Sequence, residues 1–391
     1  MASYDGKALL GPGIPGIYAS LIFGVETGLW KLMAKNGDEP QVVHRLAADL
    51  DLDPLLLNRL MRHLASTGYL IETGECEYKI TNFTRAMGFD ILGNGYLAMI
   101  SCMSAASIRF HEFTRKRGFQ NPKDAEDTSL MMAYDTNLNI FEWLQSRGCD
   151  GHFNDHMACY RQGRMPWMHP CFYPVDERLV CGADVSPDAA FLVDIGGNRG
   201  HDLLEFQRHH PKTPGRLILQ DLPAVIQGIT AAMTGITIME YDFHTEQPVR
   251  GEWPEEDCAA DGQRRVLTTG NRNQGARAYY MHSCLHDWPD DVCRGILSRV
   301  SKAMKRGYSR LLINENVVPS KGAHWETTSL DIVMMTHVSS MERTENDWRE
   351  LIEGMAGLKI VKIWHGGNGV ESLIECELPA GPGDALGTNL A

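Results

Sequence analysis

Apolar residues recur at helical spacing through the first third of the chain, and from residue 191 onward strand-like runs alternate with helices. These two patterns predict an α/β protein. A mostly helical domain with a winged-helix pattern is expected over 1–175, and a Rossmann-like, doubly wound, mostly parallel sheet over 176–391. With 391 residues, 43% hydrophobic and 22% charged, the chain can build two cores. A net charge of −13 argues against nucleic-acid binding, which needs a basic surface. No apolar run approaches the roughly 18–20 residues of a membrane span. The opening MASYDGKALLGPGIPG shows no secretory signal, so a cytoplasmic protein is expected. Ten cysteines without a CxxC pair read as free thiols, with no metal site.

Residues 17–34 predict one helix that Gly37 can end. A short helix then ends near Leu50, Asp53 can cap the next, and Leu55, Leu56, Leu60 and Leu64 give that helix an apolar stripe. Gly68 stops it, and strand-like pieces at 69–72 and 77–80 make a wing. The second helix offers Arg59, Arg62 and His63 to a nucleic acid, but Asp51 and Asp53 stand where phosphate would approach. A structural or dimerising role is expected instead. Residues 95–163 read as helical, with Phe153, Met157 and Tyr160 near one face, a pattern a plain core stripe also gives. Pro166, Pro170 and Pro174 break regularity and mark a boundary near 170–185.

Beyond it, strands are expected at FLVDIG, RLILQDL, ITIMEYDF, ARAYYMHS and RLLINENVV, with a final pair at GLKIVKIW and ESLIECEL. The insertion at 250–274 is polar and turn-rich and is wedged between two of these strands. It reads as an irregular surface loop, or as sequence foreign to the fold.

Two clusters point to chemistry. In VDIGGNRGHD (193–202) a strand runs into Gly196 and Gly197, and Gly200 opens a helix, a turn that lets backbone approach a ligand. Asp221 ends the next strand, where a carboxylate can accept ribose hydroxyls and repel phosphate. Asp242 and Phe243 end the following strand, suited to an adenine amine and ring face. A nucleoside ligand without phosphate, S-adenosylmethionine (SAM), fits best. In MHSCLHDWPDD (281–291), His286 lies past a strand C-terminus and is the candidate general base. Glu315 in LLINENVVP and Glu342 in MERTENDW could orient it, although spacing does not show that they meet, and Glu342 also reads as a helix-entry residue.

These motifs, in this order, resemble those of the plant caffeic-acid-type and fungal small-molecule O-methyltransferases over nearly the whole chain. The resemblance implies SAM binding at Gly196, Gly197, Asp221, Asp242 and Phe243, a base at His286, and flanking glutamates at Glu315 and Glu342. It also implies an acceptor pocket with Met157, Tyr160, Met334, Met335 and His337, and a homodimer through the N-terminal helices. The chain departs from the family at Asn198-Arg199, where a third glycine is usual, and at Met281-His282, where some relatives place Lys or Arg against the adenine. The implied activity is methylation of a phenolic or enolic hydroxyl in secondary metabolism. The alternative is a SAM-binding pericyclase or dehydratase of the same fold; a ligand-gated regulator using the winged helix is disfavoured by the acidity.

Overall fold

A computed structural model describes residues 14–160, 163–229, 233–250, 275–367 and 370–381. The chain divides into two compact units, Met1–Ile108 with Leu138–Gln162, and Arg109–Asn137 with Gly163–Ala391. The sequence puts one boundary at 175/176; the units interleave instead. The physical reason is burial: Trp167, Met168, Phe172 and Tyr173 sink into the core of the second unit, and Ser339 Oγ donates to the Asp127 carbonyl at 2.9 Å.

In the first unit the helix expected over 17–34 is two, Ile14–Glu26 and Leu29–Asn36, because Gly28 adopts φ 75° between them. Helices Val43–Asp49 and Pro54–Ser66 are followed by a small antiparallel sheet, in which β1 (Gln41–Val42) and β2 (Leu70–Gly74) flank β3 (Glu77–Ile80). Asp53 caps the second helix, accepting the Leu56 amide at 2.7 Å. The buried stripe, however, is Leu57, Met61 and Leu64, and Leu55 and Leu56 face outward. Leu64 is buried as expected and Leu60 half-buried, but Leu57 and Met61 take the core positions in the first turns.

The helical run Asp90–Lys116 is long and apolar enough, by length and composition, to cross a membrane, contrary to the reading of the sequence. Small residues and methionines raise its hydropathy without forming an unbroken apolar string. Its first turns pack within the first unit: Asn94 donates to Asp155 at 2.9 Å, and a Cβ on Gly95 would meet His156 Nδ1 at 2.9 Å. Seven described cysteines are free thiols, but Cys102 and Cys149 are paired sulfur to sulfur, correcting the expectation for that pair. The Trp143 indole, donating to the Cys102 carbonyl at 2.9 Å, draws their segments together.

The second unit is built on seven strands. They are β4 (Ala190–Ile195), β5 (Arg216–Asp221), β6 (Ile236–Glu240), β7 (Ala278–His282), β8 (Arg310–Asn316), β9 (Lys359–His365) and β10 (Glu371–Glu377). Their order is β6-β5-β4-β7-β8-β10-β9, with β4 to β8 parallel and β10 antiparallel to both neighbours. Period-two alternation feeds two cores. Val193, Ile195, Tyr279, Met281 and Ile313 enter one; Leu192, Leu219, Ala278, Tyr280 and Leu312 enter the other. The strand order reverses between β4 and β7, so a crevice opens past their C-terminal ends. Apart from Arg250, the 250–274 insertion lies outside the described residues.

Candidate active site

At the end of β4 the chain turns through Gly196, at φ 70°, and Gly200, at φ 72°, into helix His201–His209. A Cβ at Gly196 would lie 2.8 Å from Cys284 Sγ, and one at Gly197 would lie 2.5 Å from the Asp194 carboxylate. Only glycine lets this turn approach the loop after β7 so closely. Asn198 holds φ 51°, a left-handed conformation asparagine tolerates, so the departure from glycine keeps the backbone path. Its amide donates to Asp221 Oδ2 at 2.7 Å, and the Leu222 amide donates to Oδ1 at 2.7 Å. Burial outweighs these two donors and pushes the Asp221 carboxyl up to about 6. Asp242 and Phe243 follow β6; the Asp242 carboxylate accepts the His244 amide at 2.9 Å, and the Phe243 ring lies 3.7 Å from where a Gly196 Cβ would stand.

His286 sits on the turn after β7 and is almost fully buried, at 5% exposure. Glu342 Oε1 lies 2.6 Å from His286 Nδ1, and Glu315 Oε2 lies 3.7 Å from the same nitrogen. The two glutamates therefore meet at the histidine, from β8 and from the loop after helix Trp325–Val338. Their roles differ. Glu315 Oε1 accepts the amides of Cys284 at 2.9 Å, Leu285 at 2.8 Å and His286 at 3.4 Å, so it holds the turn rather than the ring. Glu342 holds the ring. It is not the helix-entry residue, because Thr344 caps helix Glu345–Arg349 with a reciprocal bond to Asp347.

Burial opposes a charge on the His286 imidazole, but Glu315, Glu342 and Asp287 outweigh it and hold the pKa well above the ordinary value. At Nε2 the acidic oxygen is Asp287 Oδ1, at 3.6 Å, beyond hydrogen-bond distance. Burial raises the Asp287 carboxyl to about 7. Ligand atoms of His286, Glu315 and Glu342 lie within 4.8 Å of one another, a grouping that could receive a cation, yet Nδ1 is already engaged by Glu342.

Of the expected pocket residues, Met334 and His337 are buried and Met335 half-buried on helix Trp325–Val338. His337 Nδ1 is engaged by the Val333 carbonyl at 2.9 Å. Met157 lies in helix Asp150–Tyr160 of the first unit; the Tyr160 side chain is outside the described residues. Met281 is in the core, and His282 turns to carboxylates, with Nδ1 2.8 Å from Asp202 Oδ2 and Nε2 3.2 Å from Glu371 Oε1. Sequence reading missed this clamp. Asp202 and Glu371 are far apart in the chain, and only tertiary structure brings both to the His282 ring.

Comparison with known proteins agrees with this geometry. Residues 272–359 match the O-methyltransferase domain family. The chain is 31% identical over 367 residues to the O-methyltransferase mfmE of Annulohypoxylon moriforme, covering 94% of this chain and 84% of that protein. It belongs to the O-methyltransferase family. Among solved structures, a pericyclic reaction enzyme superposes with a TM-score of 0.82 at 27% identity, covering 97% of this chain and 91% of that one. OxaC in complex with SAH and oxaline superposes with a TM-score of 0.81 at 28% identity, covering 96% and 88%. The protein is thus a SAM-dependent O-methyltransferase. The residues present fit SAM: each Asp221 oxygen takes one backbone amide and keeps lone-pair capacity for the hydroxyls of a vicinal diol.

Proposed function

We propose that this enzyme methylates the hydroxyl of a phenolic or enolic secondary metabolite, with His286 as general base. The 2.6 Å contact between His286 Nδ1 and Glu342 carries the reading. With Nδ1–H donated to Glu342, Nε2 is the nitrogen that takes a proton from the acceptor hydroxyl. A phenol of pKa about 10 is barely ionised at neutral pH. The carboxylates that raise the His286 pKa make its neutral form a stronger base and stabilise the imidazolium it becomes. When bound, SAM supplies an electrophilic methyl group. Gly196, Gly197, Gly200, Asp221, Asp242 and Phe243 are proposed to hold it, and Met334, Met335 and His337 to line the acceptor side. Exposed Leu55, Leu56, Ile71 and Phe89 on the helical unit support a homodimer, testable by analytical ultracentrifugation.

The deciding experiment incubates purified protein with methyl-labelled SAM and a panel of phenols and enols. Label in the acceptor, lost in His286→Ala, is the expected result. The likeness to a pericyclic reaction enzyme favours one second reading, rearrangement or dehydration of an acceptor. Acceptor turnover without label transfer would establish that reading and overturn methyl transfer.

A further inference from the structure

Arg343 adjoins Glu342, and its side chain is almost completely buried, at 1% exposure. Its Nη1 donates to the Leu285 carbonyl at 3.0 Å and its Nη2 to the Trp288 carbonyl at 2.8 Å, the residues on either side of His286 and Asp287. Asp290 accepts from Nε at 2.8 Å, and the guanidinium lies over the Trp348 ring at 5.2 Å. The Arg343 carbonyl meanwhile accepts the Val318 amide at 2.9 Å, tying the same residue to the chain just past β8. The neighbouring Glu342 amide donates to Asp331 Oδ1 at 2.9 Å.

The histidine turn is thus gripped from two sides. An anion, Glu315, takes three successive amides, and a cation, Arg343, takes two carbonyls. Both grips are buried, where such bonds are strong and their loss leaves carbonyls unpaired. Because the carbonyl grip comes from the residue beside Glu342, it sets the distance between the turn and the carboxylate that orients the ring. We infer that Arg343 is a positioning residue for the proton transfer, holding His286 in register with Glu342. This inference rests on the reading of His286 as base.

Only a planar fork reaches two carbonyls and Asp290 together; an ammonium keeps the charge and loses the span. Arg343→Lys therefore separates geometry from charge. The expected result is a kcat lower by roughly 10- to 100-fold, with the KM for SAM within about twofold of the parent. The limb of the kcat–pH profile that reports His286 should also move to lower pH as the Glu342 contact slackens. A purely structural arginine would lower the melting temperature and leave the pH profile in place, and that result overturns the inference. Should Arg343→Lys fail to fold, Asp290→Asn decides. The Asp290 side chain is 42% exposed, and removing its charge weakens the hold on one edge of the guanidinium. A smaller shift of the profile in the same direction supports the positioning role, and an unmoved profile refutes it. His286→Ala, run in parallel, keeps the two readings apart. If that variant retains methyl transfer, the base assignment fails; if it is inactive while Arg343→Lys matches the parent, only the positioning role fails.

Discussion

Two histidines four residues apart, His282 and His286, are met by carboxylates, two at the first and three at the second, yet their rings are held differently. His282 ends β7 with both ring nitrogens taken, Nδ1 by Asp202 and Nε2 by Glu371, and Glu371 is further paired with Arg164 at 3.4 Å. His286 has Nδ1 taken by Glu342, while Nε2 keeps a carboxylate oxygen only at 3.6 Å. A ring with both nitrogens bonded to the protein cannot exchange a proton with a ligand. A ring bonded at one can. Burial and acidic neighbours are shared, so neither property by itself marks the base; the number of engaged nitrogens does.

The largest contrast should appear on truncation. His286→Ala is expected to lower kcat by at least roughly 100-fold while SAM binding, read by calorimetry, stays near that of the parent. Retained turnover would dissolve the distinction drawn between the two rings. Next, Glu342→Gln should lower kcat by roughly tenfold and move the His286 limb of the kcat–pH profile to lower pH, since a raising carboxylate is lost. In the parent, kcat rises with pH through a pKa above the ordinary histidine value, because only the neutral ring accepts a proton. A profile centred near 6.5 in both proteins would contradict this.

At the cofactor end, Asp221→Asn should weaken SAM binding by roughly tenfold. In the parent, SAM should bind more tightly as pH rises through about 6, where Asp221 ionises and becomes a full acceptor. Affinity independent of pH between 5 and 7 would remove Asp221 from that contact.

The smallest effect on activity belongs to His282. Burial disfavours its charge, but Asp202 and Glu371 win and raise its pKa to about 9. Its contribution to stability is therefore fully present below the unfolded value of about 6.5 and is lost as pH rises through about 9. His282→Gln should flatten the melting temperature against pH across that window, with kcat changed by less than about threefold. A kcat loss as large as that of His286→Ala would mean that His282 also serves the reaction.

Legibility in the sequence followed the range of the interactions. The glycine turn, the Asp53 cap and the strands of the second unit depend on neighbours a few residues away, and each was visible as a motif or a period. On helix Pro54–Ser66 the sequence identifies Leu64 but not Leu57 and Met61, because the phase of so short a helix is set by its cap and by what it packs against. His286, Glu315 and Glu342 could each be picked out, but not that they meet, nor that Glu315 grips backbone while Glu342 grips the ring. Arg343 carried no signal at all; an arginine in a polar stretch looks solvated until its fork is seen between two carbonyls.

Periodicity and local turn chemistry, read from the chain alone, were enough to determine a doubly wound sheet, a glycine turn after β4 and a histidine on the turn after β7. Which side chains became partners was decided only when β8 came to lie beside β7, with β10 on its far side. Pairing a buried imidazole requires groups within about 3 Å, and Glu342, 56 positions from His286, and Glu371, 89 positions from His282, reach that distance only through tertiary packing.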